Sequence, residues 1–162
     1  MHRIRQARPE DAATMLEIIK DLAEYEREPD AVMTSVTDIL RDGFGERPIF
    51  ECLLAEDGTR AVGMALYYTK WSTWTGRPTL HLEDLFVKPE YRGKGIGLDL
   101  LRRLAQIAVA RKCPRFEWEV LDWNKPAIEF YEKLGAIHRH DWWPFRIEGE
   151  ALQRLGKPGE SH

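Results

Sequence analysis

Cysteine is almost absent from this chain: Cys52 and Cys113 stand alone, in no Cys-x-x-Cys pair. That excludes a disulfide framework and makes a reduced, cytoplasmic setting the expectation. Long apolar runs are missing too, and no segment approaches the length of a membrane span. The amino end, Met1-His-Arg-Ile-Arg5, has no apolar region behind its charges and is expected not to be a signal peptide. A basic run is lacking and the net charge is −3, which argues against a nucleic-acid partner. The five histidines show no ligand spacing, so no metal is expected. Repeats and low-complexity segments are also lacking, and residues 156–162, Gly-Lys-Pro-Gly-Glu-Ser-His, read as a flexible tail.

What remains is ordinary globular material, 43% hydrophobic and 31% charged over 162 residues. That suits one domain over residues 1–155, large enough for a core without staples. Patterning predicts a strand at Arg3–Ala7, then a helix from Pro9 to about Tyr25 with Met15, Ile18, Ile19 and Leu22 inward. A second helix runs from Thr34 or Ser35 to Asp42, with Gly43 at its end. Strands follow at Phe50–Ala55 and Ala61–Thr69, joined by the Asp57-Gly58 turn, with Val62, Met64, Leu66 and Tyr68 inward. Residues 71–76 make a loop before a strand over Thr79–Val87. A helix spans Leu98–Lys112 with Leu101, Leu104, Ala105, Ala108 and Val109 on one side. A strand at Arg115–Leu121, a helix after Asn124 stopped by Gly135, and a strand region at about His138–Ile147 complete an α/β layered domain around a mixed sheet.

The organising stretch is His81-Leu-Glu-Asp-Leu-Phe-Val-Lys-Pro-Glu-Tyr-Arg-Gly-Lys-Gly-Ile-Gly-Leu98. It reads as strand, turn, glycine-rich loop and helix. Glycines let backbone N–H groups approach an anion, and the helix start adds partial positive charge. Arg92 and Lys94 add charge at the mouth. A Walker loop would need Lys-Ser/Thr where Leu98 follows Gly97, and a dinucleotide fingerprint would need a third glycine at Leu98. A pyrophosphate of acyl-CoA, a nucleotide and a plain helix-initiating turn all remain compatible with the loop.

Arg92-x-x-Gly95-x-Gly97 resembles the first signature of GCN5-related (GNAT) acetyltransferases, and Asn124-x-x-Ala127-x-x-Phe130-Tyr131-x-x-x-Gly135-Ala136 resembles the second. Residues 23–26, 42–45, 82–84, 91–97 and 123–124 are further similar to the spermidine/spermine acetyltransferase family. Within it, Ser72-Thr-Trp-Thr-Gly76 and Val120-Leu-Asp-Trp-Asn124 look more like the branch that acetylates thialysine; the polyamine branch usually has an aspartate near Ser72. The resemblance implies a GNAT fold, with a mixed, mostly antiparallel, splayed sheet flanked by helices, and acetyl-CoA as co-substrate. The pantetheine arm would pair with Leu85, Phe86 and Val87. Residues Arg92, Gly93, Lys94, Gly95, Ile96, Gly97 and Leu98 would hold the pyrophosphate. Asn124 would bond the pantetheine or cap its helix. A homodimer meeting through the C-terminal strand region is also implied.

Amide formation needs a neutral amine, and a lysine-like amine is neutral in only about one molecule in 2,500 at pH 7. A proton must therefore be accepted, and the leaving thiolate must receive one. The family assigns the second task to the tyrosine matching Tyr131, whose phenol suits it. Glu83 is expected to be the base, directly or through water, and Asp84 to attract the amine. A regular strand would send these neighbours to opposite faces; a bulge there, which the resemblance implies, would bring both near the cleft. Tyr25, Glu26, Ser72, Thr73 and Trp74 are candidates for the distal part of the substrate, Trp74 through a cation–π contact. Direct attack in a ternary complex is expected rather than a covalent cysteine route. The reading is acetyl transfer to thialysine or a lysine-like amine; polyamines, protein amines and a non-catalytic acyl-CoA-binding module are the alternatives.

Overall fold

The protein is described by a computed structural model over residues 1–159. Two compact units divide the chain, one of residues 1–121 and one beginning at Asp122. The first opens with strand β1 (His2–Gln6), helix α1 (Ala12–Tyr25) and helix α2 (Val36–Phe44). Strands β2 (Glu51–Asp57), β3 (Arg60–Ser72) and β4 (Arg77–Val87), helix α3 (Ile96–Ala110) and strand β5 (Arg115–Trp118) follow. The sheet order is β1-β2-β3-β4-β5, antiparallel throughout except for the parallel pair β4–β5.

One face of the sheet is covered by the first two helices. Met15, Ile18 and Leu22 of α1 and Ile39 of α2 form a buried cluster with Cys52, Leu54, Met64, Leu66 and Phe86. The other face carries α3, which packs on Gly63: a Cβ there would meet Ile96 and Leu100 side chains at 3.4 Å and the Phe86 carbonyl at 3.2 Å. Both faces are thus covered, so β3 is buried without a break from Val62 to Tyr67, as a continuous apolar run requires.

Several expected boundaries move for identifiable reasons. Gly43 lies inside α2 rather than ending it, because the Phe50 ring occupies the space a Cβ would need, at 2.6 Å. Ser35 caps that helix, accepting from the Asp38 N–H while Asp38 accepts from the Ser35 N–H. Tyr68 is only half-buried, and Tyr67 on the opposite face is fully buried. The loop expected at 71–76 shrinks to residues 73–76, since β3 stays paired as far as Ser72 with Arg77. Packing of Ile96 and Leu100 against Gly63 also rotates α3, so Leu100, Leu101, Leu104 and Ala108 are buried while Ala105 and Val109 face outward.

The second unit holds helix α4 (Lys125–Lys133) and helix α5 (Gly149–Leu155). Gly135, at φ +89°, ends α4 as expected, with the Ala136 N–H donating to the Tyr131 carbonyl. The strand expected at His138–Ile147 is not formed; all these residues are described and none pairs with a strand. Trp142, Trp143 and Phe145, whose apolar alternation suggested it, are exposed. Of the expected tail, residues 160–162 lie outside the described residues. Among the described residues no helix is long and apolar enough to cross a membrane.

Gly63→Val inserts two methyls and a Cβ into the contact with α3 and the Phe86 carbonyl. It is expected to lower stability by about 1–3 kcal/mol, read as a fall in the urea midpoint at unchanged slope.

Candidate active site

The glycine-rich loop has a backbone that only glycine adopts readily. After a single turn at Pro89–Tyr91, Gly93 (φ +75°) and Gly95 (φ +81°) are left-handed, and no atom lies within 4 Å of a Cβ placed on either. Gly95 is the residue preceding α3, and the Asp99 N–H donating to its carbonyl closes the first turn. The N–H groups of Ile96, Gly97 and Leu98 therefore have no partner within the helix and stand at its positive end. This fits a pyrophosphate. Lys94 rests its ammonium 4.8 Å from the Tyr91 ring. Arg92 differs from expectation: its Nε donates to the Val87 carbonyl at 2.9 Å, and its guanidinium lies 4.7 Å over Tyr25 and 5.3 Å over Phe86. It braces α1 against the end of β4 rather than pointing into the loop.

The sheet opens beside this loop. β4 and β5 pair from Thr79–Arg115 to Leu82–Trp118 and no further. From Glu83 to Val87, β4 extends past the end of β5, leaving a backbone edge that includes Leu85, Phe86 and Val87. An extended amide-bearing chain could pair there as a strand does. The edge and the glycine loop are consecutive in the chain, so a pyrophosphate and its attached arm fit both.

A bulge sits where the strands part. Leu66 pairs with Asp84 and Tyr67 with Leu82, so Glu83 is the extra residue on β4. The alternation of side chains resets across it. His81 and Asp84, three apart, come to the face covered by α1: His81 is opposite Tyr68, with rings 4.9 Å apart, and Asp84 is opposite Leu66. The Glu83 carboxylate comes within 3.6 Å of His81 Nε2. Tyr25 reaches the same region from the end of α1, edge-on to Phe86 at 6.4 Å.

Electrostatics single out Asp84. Burial, then the charges of Glu83 and Glu26, push its carboxyl up to about 6. Burial alone raises Glu26. Asp84, whose charge burial and the neighbouring Glu83 and Glu26 disfavour, lies near an open sheet edge and is arranged to receive a cation. The hairpin tip is set apart from them. Ser72 Oγ accepts from the Trp74 and Thr75 N–H groups and closes the turn, and Trp74 is 81% exposed. Five ladder steps along β4 separate Arg77 from Leu82, about 17 Å at strand spacing. Ser72, Thr73 and Trp74 are thus not brought to Glu83 and Asp84.

Cys52 is buried in the core with its thiol pushed well up by burial, and cannot serve as a nucleophile. Among the described residues no group of three or more potential metal ligands occurs. In the second unit, Tyr131 is part-buried on α4 with its ring 5.6 Å from Phe130. The Asn124 side chain makes no cap hydrogen bond to α4, so capping is not its task. His81 had no assigned role in the sequence; only the bulge register reveals its neighbours.

Residues 13–136 match the model of the Acetyltransferase (GNAT) family. The chain is 45% identical over 163 residues to thialysine N-epsilon-acetyltransferase of Sus scrofa, covering 94% of this chain and 95% of that protein. It is 39% identical over 160 residues to spermidine/spermine N(1)-acetyltransferase-like protein 1 of Homo sapiens, covering 93% of this chain and 23% of that protein. Among solved structures, an integron cassette protein from the mobile metagenome of V. cholerae superposes with a TM-score of 0.83 at 27% identity, covering 97% of this chain and 98% of that one.

The raised carboxyl of Asp84 has a cost for stability whose sign can be worked out. A folded pKa of about 6 against an ordinary 3.8 means that the native state holds the proton more tightly. Stability therefore falls as pH rises from about 4 to 6 and stays lower above. Asp84→Asn removes this penalty. It is expected to raise stability at pH 7.5 by about 1–3 kcal/mol and to leave it little changed at pH 4, measured by thermal unfolding at both values.

Proposed function

The chain belongs to the acetyltransferase (GNAT) family and is an N-acetyltransferase that uses acetyl-CoA; we propose that its acceptor is a small primary amine, thialysine or a lysine-like amino acid. The observation that carries this is the gathering of Asp84, Glu83 and Glu26 by the bulge and the end of α1 beside the open edge of β4. The likeness to thialysine acetyltransferase across nearly the whole chain supports the choice. The likeness to a spermidine/spermine acetyltransferase-like protein keeps polyamines as the second reading.

Acetyl-CoA supplies an activated thioester. Leu85, Phe86 and Val87 would bind its pantetheine arm by their free edge, with Asn124 as a further contact. The N–H groups from Gly93 through Leu98 would hold its pyrophosphate, with Lys94 adding charge and Arg92 fixing the loop to β4 through the Val87 carbonyl. Asp84, ionised above about pH 6, draws the ammonium. Glu83, exposed on the bulge and reachable by solvent, takes the proton directly or through water. The neutral nitrogen attacks the thioester carbonyl, the carbon–sulfur bond breaks, the Tyr131 phenol protonates the leaving sulfur, and the second proton, shed by the nitrogen as it becomes an amide, restores the phenol. The support for Tyr131 is its place in the Asn124–Ala136 signature and its ordinary chemistry as a phenol. Tyr25 and Glu26 line the acceptor side. Ser72, Thr73 and Trp74 stand too far along the hairpin for a lysine-sized amine held at Asp84, so their proposed contact is with longer acceptors.

Residues 1–155 are read as one acetyltransferase domain, supported by a family match that runs from residue 13 to 136, with 156–162 as a tail. A cytoplasmic setting is supported by the two free cysteines. A homodimer is supported by the exposed Trp142, Trp143 and Phe145.

A thiol-release assay with thialysine, lysine, ornithine, spermidine, putrescine and a histone-tail peptide tests the acceptor. Thialysine is expected to give the highest kcat/KM, with the rate falling below about pH 6 as Asp84 protonates; a preference for spermidine or the peptide would overturn the assignment. Tyr131→Phe is expected to lower kcat by about 100-fold or more without weakening acetyl-CoA binding by calorimetry. Full activity across pH in that variant would remove Tyr131 from the mechanism.

A further inference from the structure

His81 is a titratable side chain that the proton transfers above leave unused. It is largely buried, tilted by 38° against the Tyr68 ring, and its Nδ1 is enclosed with no hydrogen-bond partner among the described residues. Its Nε2 faces the Glu83 carboxylate at 3.6 Å. A neutral imidazole carries one N–H and one lone pair. Burying an N–H without an acceptor is rarer than burying an unfilled lone pair. The proton therefore belongs on Nε2, aimed at Glu83, with the lone pair on Nδ1.

The surroundings keep the ring neutral. Burial, and then the Lys70 ammonium, hold its pKa below that of an ordinary imidazole, against the pull of Glu83, Glu119 and Glu117. Lys70 is itself tied to Glu117 at 2.8 Å, and Tyr68 presents its ring. A second proton would have to sit on Nδ1, where no acceptor waits.

The geometry points to His81 as a positioning residue: a fixed Nε2–H donor that holds the Glu83 carboxylate in line with the incoming amine. The proposal rests on Glu83 being the base. Glu83 is exposed on a bulge, so rotation about its side-chain bonds closes the remaining gap when substrate binds, as catalytic hydrogen bonds commonly do. Tyr68 sets the plane of the ring, and the register pair Tyr68–His81 fixes its height on the sheet.

The test is a double-mutant cycle in the thiol-release assay with thialysine and acetyl-CoA. His81→Phe keeps a ring against Tyr68 and removes the donor; His81→Gln keeps a donor of similar reach. Thermal melting confirms that each variant folds, and His81→Leu serves as the donor-free variant if the phenylalanine is too disruptive. His81→Phe is expected to lower kcat about tenfold, as for one lost charge-assisted hydrogen bond, with the KM for acetyl-CoA unmoved. His81→Gln is expected to recover most of that loss. In a Glu83→Ala background, where no side-chain acceptor remains, the same His81→Phe change is expected to cost less than about twofold. An equal loss in both backgrounds, or wild-type kcat in His81→Phe, would overturn the positioning role while leaving Glu83 as base. Full activity of Glu83→Gln alone would overturn the base assignment and this proposal with it.

Discussion

Everything in the active region follows from the parting of β4 from β5 after the Leu82–Trp118 pair, at the point where Glu83 is added to β4. A parallel pair that ends early leaves N–H and C=O groups along Glu83–Val87 without a strand to satisfy them on that side. Such an edge favours a ligand that can act as a strand. The same strand then turns at Pro89 into the glycine loop, so the edge and the anion-binding turn cannot be displaced relative to each other by more than a few residues. The extra residue adds chemistry to this geometry. Were the strand regular from His81 to Asp84, these two would point to opposite faces, and Glu83 and Asp84 would do so as well.

The core is arranged to keep this opening rigid. Gly63 lets α3 settle on β3 next to the Phe86 carbonyl, and α1 lies on the opposite side through Met15, Ile18 and Leu22. Arg92 joins three elements, its Nε bonded to the Val87 carbonyl and its plane on Tyr25 and Phe86. Lys88, buried next in the chain, bonds Glu17 at 2.6 Å and lies 3.8 Å from Asp21, both on α1. The end of β4 is thus pinned to α1 by two cations in series, one on each side of the Pro89 turn.

The glycine spacing, the two signatures and the order of elements through β5 were legible in the sequence because each is local: periodicity, turn residues and fixed offsets. The bulge at Glu83–Asp84 came from the family resemblance, since adjacency of two acids alone fits a regular strand with one acid on each face. What the bulge carries with it was not legible. His81 gains its neighbours through a register with Tyr68, thirteen positions away in the chain, and no pattern within the stretch reports that register. The outward turn of Ala105 and Val109 depends on where α3 meets Gly63, a tertiary contact that periodicity alone does not set. Alternating aromatics at 142–147 imitate a strand, yet without a neighbouring ladder the backbone there forms none. The distance from Ser72 to the acids was hidden for another reason: β3 runs paired to Ser72, which lengthens the hairpin and carries its tip away.

In the proposed reaction the cluster of Asp84, Glu83 and Glu26 selects for charge, and acetylation abolishes that charge on the acceptor. An amine is drawn in as a cation; the amide it becomes offers these carboxyls nothing to neutralise. The charges of Glu83 and Glu26 against Asp84, offset while the cation is present, act again once its protons have left the site, with Asp84 again among the least favourably ionised groups of the protein. The reaction therefore converts a guest into a stranger, and turnover carries its own expulsion step.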